Sequence, residues 1–244
     1  MGIAENARAI RGRVSEALRR SGDAARTVRL IAVSKTFPAE RISEAMDAGL
    51  NAFGENRVQE ITAKYEELRD RRTVLNEDGS AAGVEWHFIG HLQTNKVKKL
   101  LEVPTKYIHS VDRVELAVEL DRQLQRRGES REILVEVNTS GEPSKSGVEP
   151  DEATRLLREI AGLETLKIKG LMTVGALTDE VAAVRGCFSK LRKLSELACQ
   201  EAIHDVEMRE LSMGMSGDFE LAVEEGATMI RVGTAIFGDR TNKE

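Results

Sequence analysis

Two rhythms of hydrophobic and polar residues alternate along the chain. Short apolar runs fall at 28–34 (VRLIAVS), 52–56 (AFGEN), 85–90 (EWHFIG), 107–111 (YIHSV), 132–138 (EILVEVN), 166–172 (LKIKGLM), 207–213 (EMRELSM) and 228–234 (TMIRVGT). Between them lie amphipathic stretches such as PAERISEAMDAGL, DRVELAVELDRQLQRRG, EPDEATRLLREIAGL and DFELAVEEGA, with acids early and glycine or basic residues late, as helices have. This alternation predicts a parallel sheet, and its eight units predict one α/β domain over 1–244, a (β/α)8 TIM barrel. A doubly wound open sheet shares the pattern, because periodicity does not encode closure. Ile3, Ala7, Ile10, Val14 and Leu18 keep helical spacing and predict an extra helix that caps the bottom or side of the barrel. The polar stretch 70–83 is a surface excursion, not a linker.

Composition changes this picture little. Hydrophobic residues at 41% and charged residues at 32% are ordinary for a soluble protein, and a net charge of -5 offers no general attraction to nucleic acid or an anionic membrane. The first twenty residues carry charges throughout, unlike a signal peptide, and no segment nears the ~20 apolar residues of a membrane helix, so a cytoplasmic location is expected. Cys187 and Cys199 share one helical stretch, about 18 Å apart at the rise of an α-helix, and are expected to be free thiols.

In a β/α barrel the residues just past each strand converge at one mouth. Here they include Lys35, Asn56, His91, Asn138, Met172 and the segments 212–218 and 231–234. Lys35 is either a strand-end lysine snorkelling to solvent or an amine held at the mouth for Schiff-base chemistry. In SMGMSGDFELAVEEG, Ser216 is expected to cap a helix running to Gly226, with Gly217 allowing close backbone approach, an arrangement that favours a phosphate. Gly233 and Thr234 repeat the small-residue pattern after the last strand, and the pair of loops resembles a barrel phosphate cradle. Together with Lys35 they indicate a phosphorylated aldehyde. Arg231 sits either on the outer layer or inside as a fixed cation. Glu55 and Asn56 either orient groups in the mouth or cap the next helix, while Lys145 is expected to be a flexible surface lysine. His87 and His91 fall on a strand end and turn, so His87 is expected to be packed and hydrogen-bonded, and no metal is expected.

The segments AVSKTFP, FGENRVQE, WHFIGHLQTNK, NTSGEPSKSGV, GLMTVGA and SMGMSGDFELAVEEGATMIRVGTAIFG together resemble the pyridoxal phosphate homeostasis proteins, the YggS/PROSC family. The resemblance implies a single barrel similar to the N-terminal domain of alanine racemase, a fold type III pyridoxal phosphate protein without the second β domain. It implies pyridoxal 5'-phosphate (PLP) as cofactor, with Lys35 forming the internal aldimine, Ser216, Gly217, Gly233 and Thr234 holding the phosphate, Arg231 facing the pyridine nitrogen and Asn56 lining the ring pocket. The implied role is intracellular vitamin B6 homeostasis, buffering or delivering PLP, with apo-enzymes as acceptors and a monomeric chain. No residue is assigned a catalytic role. A PLP-dependent amino-acid racemase is the alternative, and a Schiff-base aldolase a third class. Arg57, where many members carry an aromatic residue, departs from the pattern.

Overall fold

The computed structural model describes residues 2–71, 73–75 and 81–239. Strands β1 (Arg29–Val33), β2 (Ala52–Glu55), β5 (Glu85–Phe88), β6 (Thr105–Val111), β7 (Arg131–Glu136), β8 (Leu166–Met172), β9 (Val206–Ser212) and β10 (Met229–Val232) form a closed barrel in the order β1-β10-β9-β8-β7-β6-β5-β2, every pair parallel. Each coincides with one of the eight apolar runs. The open-sheet alternative is excluded by the pairing of the first strand with the last, Arg29 opposite Met229 and Ala32 opposite Val232. Strands β3 (Thr73–Leu75) and β4 (Ala81–Gly83) lie outside the barrel as a two-stranded antiparallel pair within the polar excursion, whose middle, 76–80, lies outside the described residues.

Helices α2 (Ala39–Asp47), α3 (Val58–Glu67), α4 (Val97–Leu100), α5 (Val114–Arg127), α6 (Ala153–Ile160), α7 (Val181–Gln200), α8 (Phe219–Glu224) and α9 (Thr234–Phe237) follow the strands. The extra helix α1 (Ile3–Arg20) buries Ile3, Ala7, Ile10, Val14 and Leu18 as its spacing requires, together with Ala17. Each larger side chain among these contributes about 1.5–3 kcal/mol of transfer free energy. The helix lies on the side of the barrel against α8, α9 and α2, held also by Arg13–Glu220 and Arg20–Glu224 ion pairs and by Asn6 Nδ2 donating to the Ile236 carbonyl. Both cysteines are free, Cys187 buried and Cys199 exposed on α7. No helix among the described residues is long and apolar enough to cross a membrane.

Strand alternation divides the core in two. Outward-facing residues pack against the helices in one large cluster, while Ile31, Ala52, Tyr107, Leu134, Met172 and Met229 form a small cluster inside the barrel. The rest of the interior carries polar groups, among them His87, His109, Ser212, Arg231 and Glu136.

Candidate functional site at the barrel mouth

Ile31 lies inside the barrel, so alternation turns Val33 inward, while Ser34, just past the strand, reaches outward to Glu55. Lys35 follows in the turn past β1, half-buried at the mouth. The chain reverses there in a four-residue turn closed by the Phe37 amide donating to the Ser34 carbonyl at 3.0 Å. Thr36 occupies its third position with φ 70°, a conformation in which such turns ordinarily place glycine. For a β-branched residue the cost is on the order of 1–3 kcal/mol.

A buried polar cluster stands behind this turn. Ser34 Oγ donates to Glu55 Oε1 at 2.6 Å, and Lys64 Nζ donates to the same oxygen at 2.7 Å and to the Ser34 carbonyl at 2.9 Å. Glu55 is fully buried, and burial raises its carboxyl above the usual range despite the opposing pull of Lys64 and Ser34. It neither faces the mouth nor caps α3: it points outward, and Lys64 reaches it from the buried face of that helix. Asn56 follows half-buried at the mouth. Gly90 passes so close that a Cβ there would lie 2.2 Å from the Asn56 carbonyl oxygen. Arg57 is turned out, its side chain 70% exposed and 3.7 Å from Glu60. His91 stands exposed at the rim, 3.5 Å from Asp112.

The loops after β9 and β10 are tied together. Ser216 Oγ accepts the Gly233 amide at 3.2 Å and the Ala235 amide at 3.5 Å, and the Arg231 amide donates to the Gly214 carbonyl at 2.9 Å. Gly214 has φ 91°, and a Cβ there would lie 2.5 Å from Ala222 Cβ. Ser216 is not the cap of α8: the helix starts at Phe219, and Asp218 holds the capping position while its carboxylate accepts the Met215 amide at 2.5 Å. The hydroxyl is instead spent on the neighbouring loop, 17 residues on, a partnership that local pattern does not reveal. The amides of Ser216, Gly217 and Thr234 have no hydrogen-bond acceptor among the described residues. A Cβ at Gly217 would meet open space, so the protein's own packing does not require glycine there.

Arg231 lies inside the barrel, 5% exposed, donating to Ser212 Oγ at 2.7 Å and to the Thr173 carbonyl at 2.8 Å. Burial pulls its guanidinium down to about 10, against the attraction of Glu136 and Asp218. The polar contacts continue downward: His109 Nδ1 is 3.0 Å from Ser212 Oγ, His87 Nδ1 is 2.9 Å from His109 Nε2, and His87 Nε2 is 3.6 Å from Glu85. Because Arg231 donates to Ser212, the consistent assignment has the hydroxyl donating to His109, which donates to His87, whose remaining N–H points toward Glu85. Burial holds both imidazoles below their ordinary range, His109 well below, so both are neutral. The expected packed, hydrogen-bonded state of His87 is what the structure shows.

Glu136 escaped the sequence reading. It ends β7 on the inward side, 6% exposed, with Oε2 lacking a partner among the described residues. Burial, reinforced by Asp112 and opposed by Arg231, pushes its carboxyl up to about 7. The signal was present as an acid two residues past an inward Leu134 at a strand end. Lys145 is not a free surface lysine: its side chain is 18% exposed and donates to the Gly175 carbonyl and to Glu142, each at 2.7 Å. Asn138 organises the same loop, its Oδ1 accepting from Ser140 Oγ and the Gly141 amide. A groove of about 750 Å³ runs between Lys145 and Gly217 beside the tied loops.

Residues 6–241 match the alanine racemase N-terminal domain family. The chain is 42% identical to the pyridoxal phosphate homeostasis protein of Aquifex aeolicus (strain VF5) over 93% of its length and 94% of the relative's, and 39% identical to that of Homo sapiens over 98% and 87%. The solved structure of PipY from Synechococcus elongatus PCC7942 with PLP bound is similar, with a TM-score of 0.81 and 37% identity over 97% of this chain and all of that one. An alanine racemase from Corynebacterium glutamicum, 17% identical with a TM-score of 0.65 over 99% of this chain and 61% of that one, shares the barrel fold.

Proposed function

Because the chain belongs to the family of pyridoxal phosphate homeostasis proteins, we propose that it binds PLP at the barrel mouth and serves in buffering or delivering that cofactor within the cell. The observation that carries this reading is the adjacency of a lysine and an anion site on neighbouring strands. Lys35 stands in the turn just past β1, and just past the neighbouring β10 Gly233 lies beside Val33 with the donor-rich loops tied by Ser216. Bound PLP supplies an aldehyde that condenses with an amine and a phosphate dianion that takes hydrogen bonds.

The residues present fit that group. Lys35 is the amine. The amides of Ser216, Gly217 and Thr234, which lack an acceptor among the described residues, and the open space at Gly217 suit a phosphate, with Gly233 and the Thr234 hydroxyl completing the cradle. Arg231 supplies a fixed cation toward the ring nitrogen, and Asn56 borders the ring on the β2 side. A guanidinium that stays protonated does not hand a proton to that nitrogen, which weakens the electron sink on which carbanion chemistry relies. Neither tyrosine is placed as an acid or base at the mouth: Tyr107 lies in the inner cluster with its hydroxyl 3.4 Å from Glu210, and Tyr65 packs on the outer core from α3. Binding is therefore favoured over racemisation, and acceptor apo-enzymes are the partners this role implies.

The test is titration of the cofactor-free protein with PLP, followed by borohydride reduction and peptide mapping. One equivalent bound, with an absorbance band near ~420 nm that vanishes on reduction and leaves the label on Lys35, is expected. Absence of both band and label with intact PLP overturns the reading. Racemisation of L-alanine at ~1 per second or faster would return the protein to the enzymes.

A further inference from the structure

The turn that bears Lys35 is held by more than its own hydrogen bond. Lys35 has two peptide bonds, one contributing the Ser34 carbonyl and the other the Thr36 amide. Lys64 Nζ donates to the first at 2.9 Å, and the second donates to Glu60 Oε2 at 2.8 Å. Both clamping residues come from α3, the helix of the next βα unit, and they touch each other at 3.3 Å. Lys64 is fixed in turn by Glu55, whose carboxylate is fully buried. Within this grip Thr36 holds φ 70°. Strained backbone of that kind persists where its surroundings over-determine it, and such places cluster at functional sites.

We infer that Lys64 and Glu60 are positioning residues for Lys35, clamping the peptide groups on either side of it so that its amine is presented to the mouth in one orientation. The inference rests on the proposed role of Lys35. It assigns a purpose to an ammonium group on the buried face of α3, where Val58 and Ile61 mark a hydrophobic stripe. A rigid presentation shortens the search of a long, flexible side chain for a reactive geometry. In the reaction it serves, the Lys35 nitrogen bonds to the aldehyde carbon and the carbonyl oxygen departs as water.

The experiment compares the parent protein with Glu60→Ala, Lys64→Met and Lys64→Arg. Cofactor-free protein is mixed with PLP, growth of the ~420 nm band is followed by stopped flow, and total bound PLP and melting temperature are measured alongside. Glu60→Ala and Lys64→Met are expected to slow covalent capture per bound PLP about tenfold or more, with phosphate-held PLP retained, while Lys64→Arg restores much of the rate. Lys64→Met also strands the Glu55 carboxylate; if it does not fold, Glu60→Ala decides. Capture per bound PLP at the parent rate in every variant that folds overturns the inference. A parent protein that never captures PLP on Lys35 brings down the functional reading itself, and this inference with it.

Discussion

Ser216 Oγ, in the loop after β9, accepts the backbone amide of Gly233, in the loop after β10, at 3.2 Å. One hydroxyl thus sets the spacing of two loops that the chain connects only through a helix and a strand. Ser216→Ala removes that tie, and a lost hydrogen bond of ordinary strength corresponds to about a tenfold change. The expected result is PLP affinity lowered by roughly that factor, with affinity for pyridoxal, which lacks the phosphate, changed much less. Parallel calorimetric titrations of the two ligands measure it.

Two glycines at the mouth should respond in opposite ways to alanine. At Gly90 the new Cβ would collide with the Asn56 backbone, which cannot move aside as a side chain would, so Gly90→Ala is expected to lower stability by about 1–3 kcal/mol or more. At Gly217 it would enter open space, so Gly217→Ala should melt within a few degrees of the parent and bind PLP more weakly. Equal loss of stability in both would refute the contrast.

Glu136 makes stability depend on pH in a direction unusual for an acid. Its folded carboxyl titrates at about 7, above the ordinary value of 4.5. Between those values the folded state holds the proton that the unfolded state has released, so stability falls as pH rises from 4.5 through 7. Across that window the loss is on the order of 3 kcal/mol. Glu136→Gln should therefore stabilise the protein at pH 8 and change little at pH 5, as denaturant midpoints at the two values will show.

His109 pulls the other way. Its imidazole is buried neutral, well below the ordinary 6.5, so the stability it lends is present above 6.5 and is lost as pH falls below that value. His109→Phe forfeits the contacts with Ser212 and His87 but no longer takes up a proton on unfolding. Denaturant midpoints between pH 7.5 and 5 should fall less steeply in the variant; an unchanged slope would count against the neutral assignment.

The barrel was legible because apolar runs of strand length and amphipathic stretches of helix length recur without interruption. The place of Lys35 at the mouth follows from the same pattern, because it stands just past the first apolar run. What sequence left open depended on partners distant along the chain. Glu55 faces outward because β2 sets its parity, and its purpose appears only with Lys64 on α3. Ser216 looked like a helix cap because serine before an amphipathic stretch usually is one, yet its partner is the Gly233 amide. Lys145 looked solvated until the Gly175 carbonyl, thirty residues on, came within 2.7 Å.

The pairing of β1 with β10 joins residues 200 positions apart, Arg29 with Met229. Contacts of such separation form late, because the loop they close must be ordered before they reward it. Lys35 and the Ser216–Gly233 tie lie on the two sides of this junction. A partly folded chain can therefore hold most of its strands and still present no complete mouth, so under the proposed role of Lys35 PLP capture doubles as a report that the cylinder has shut.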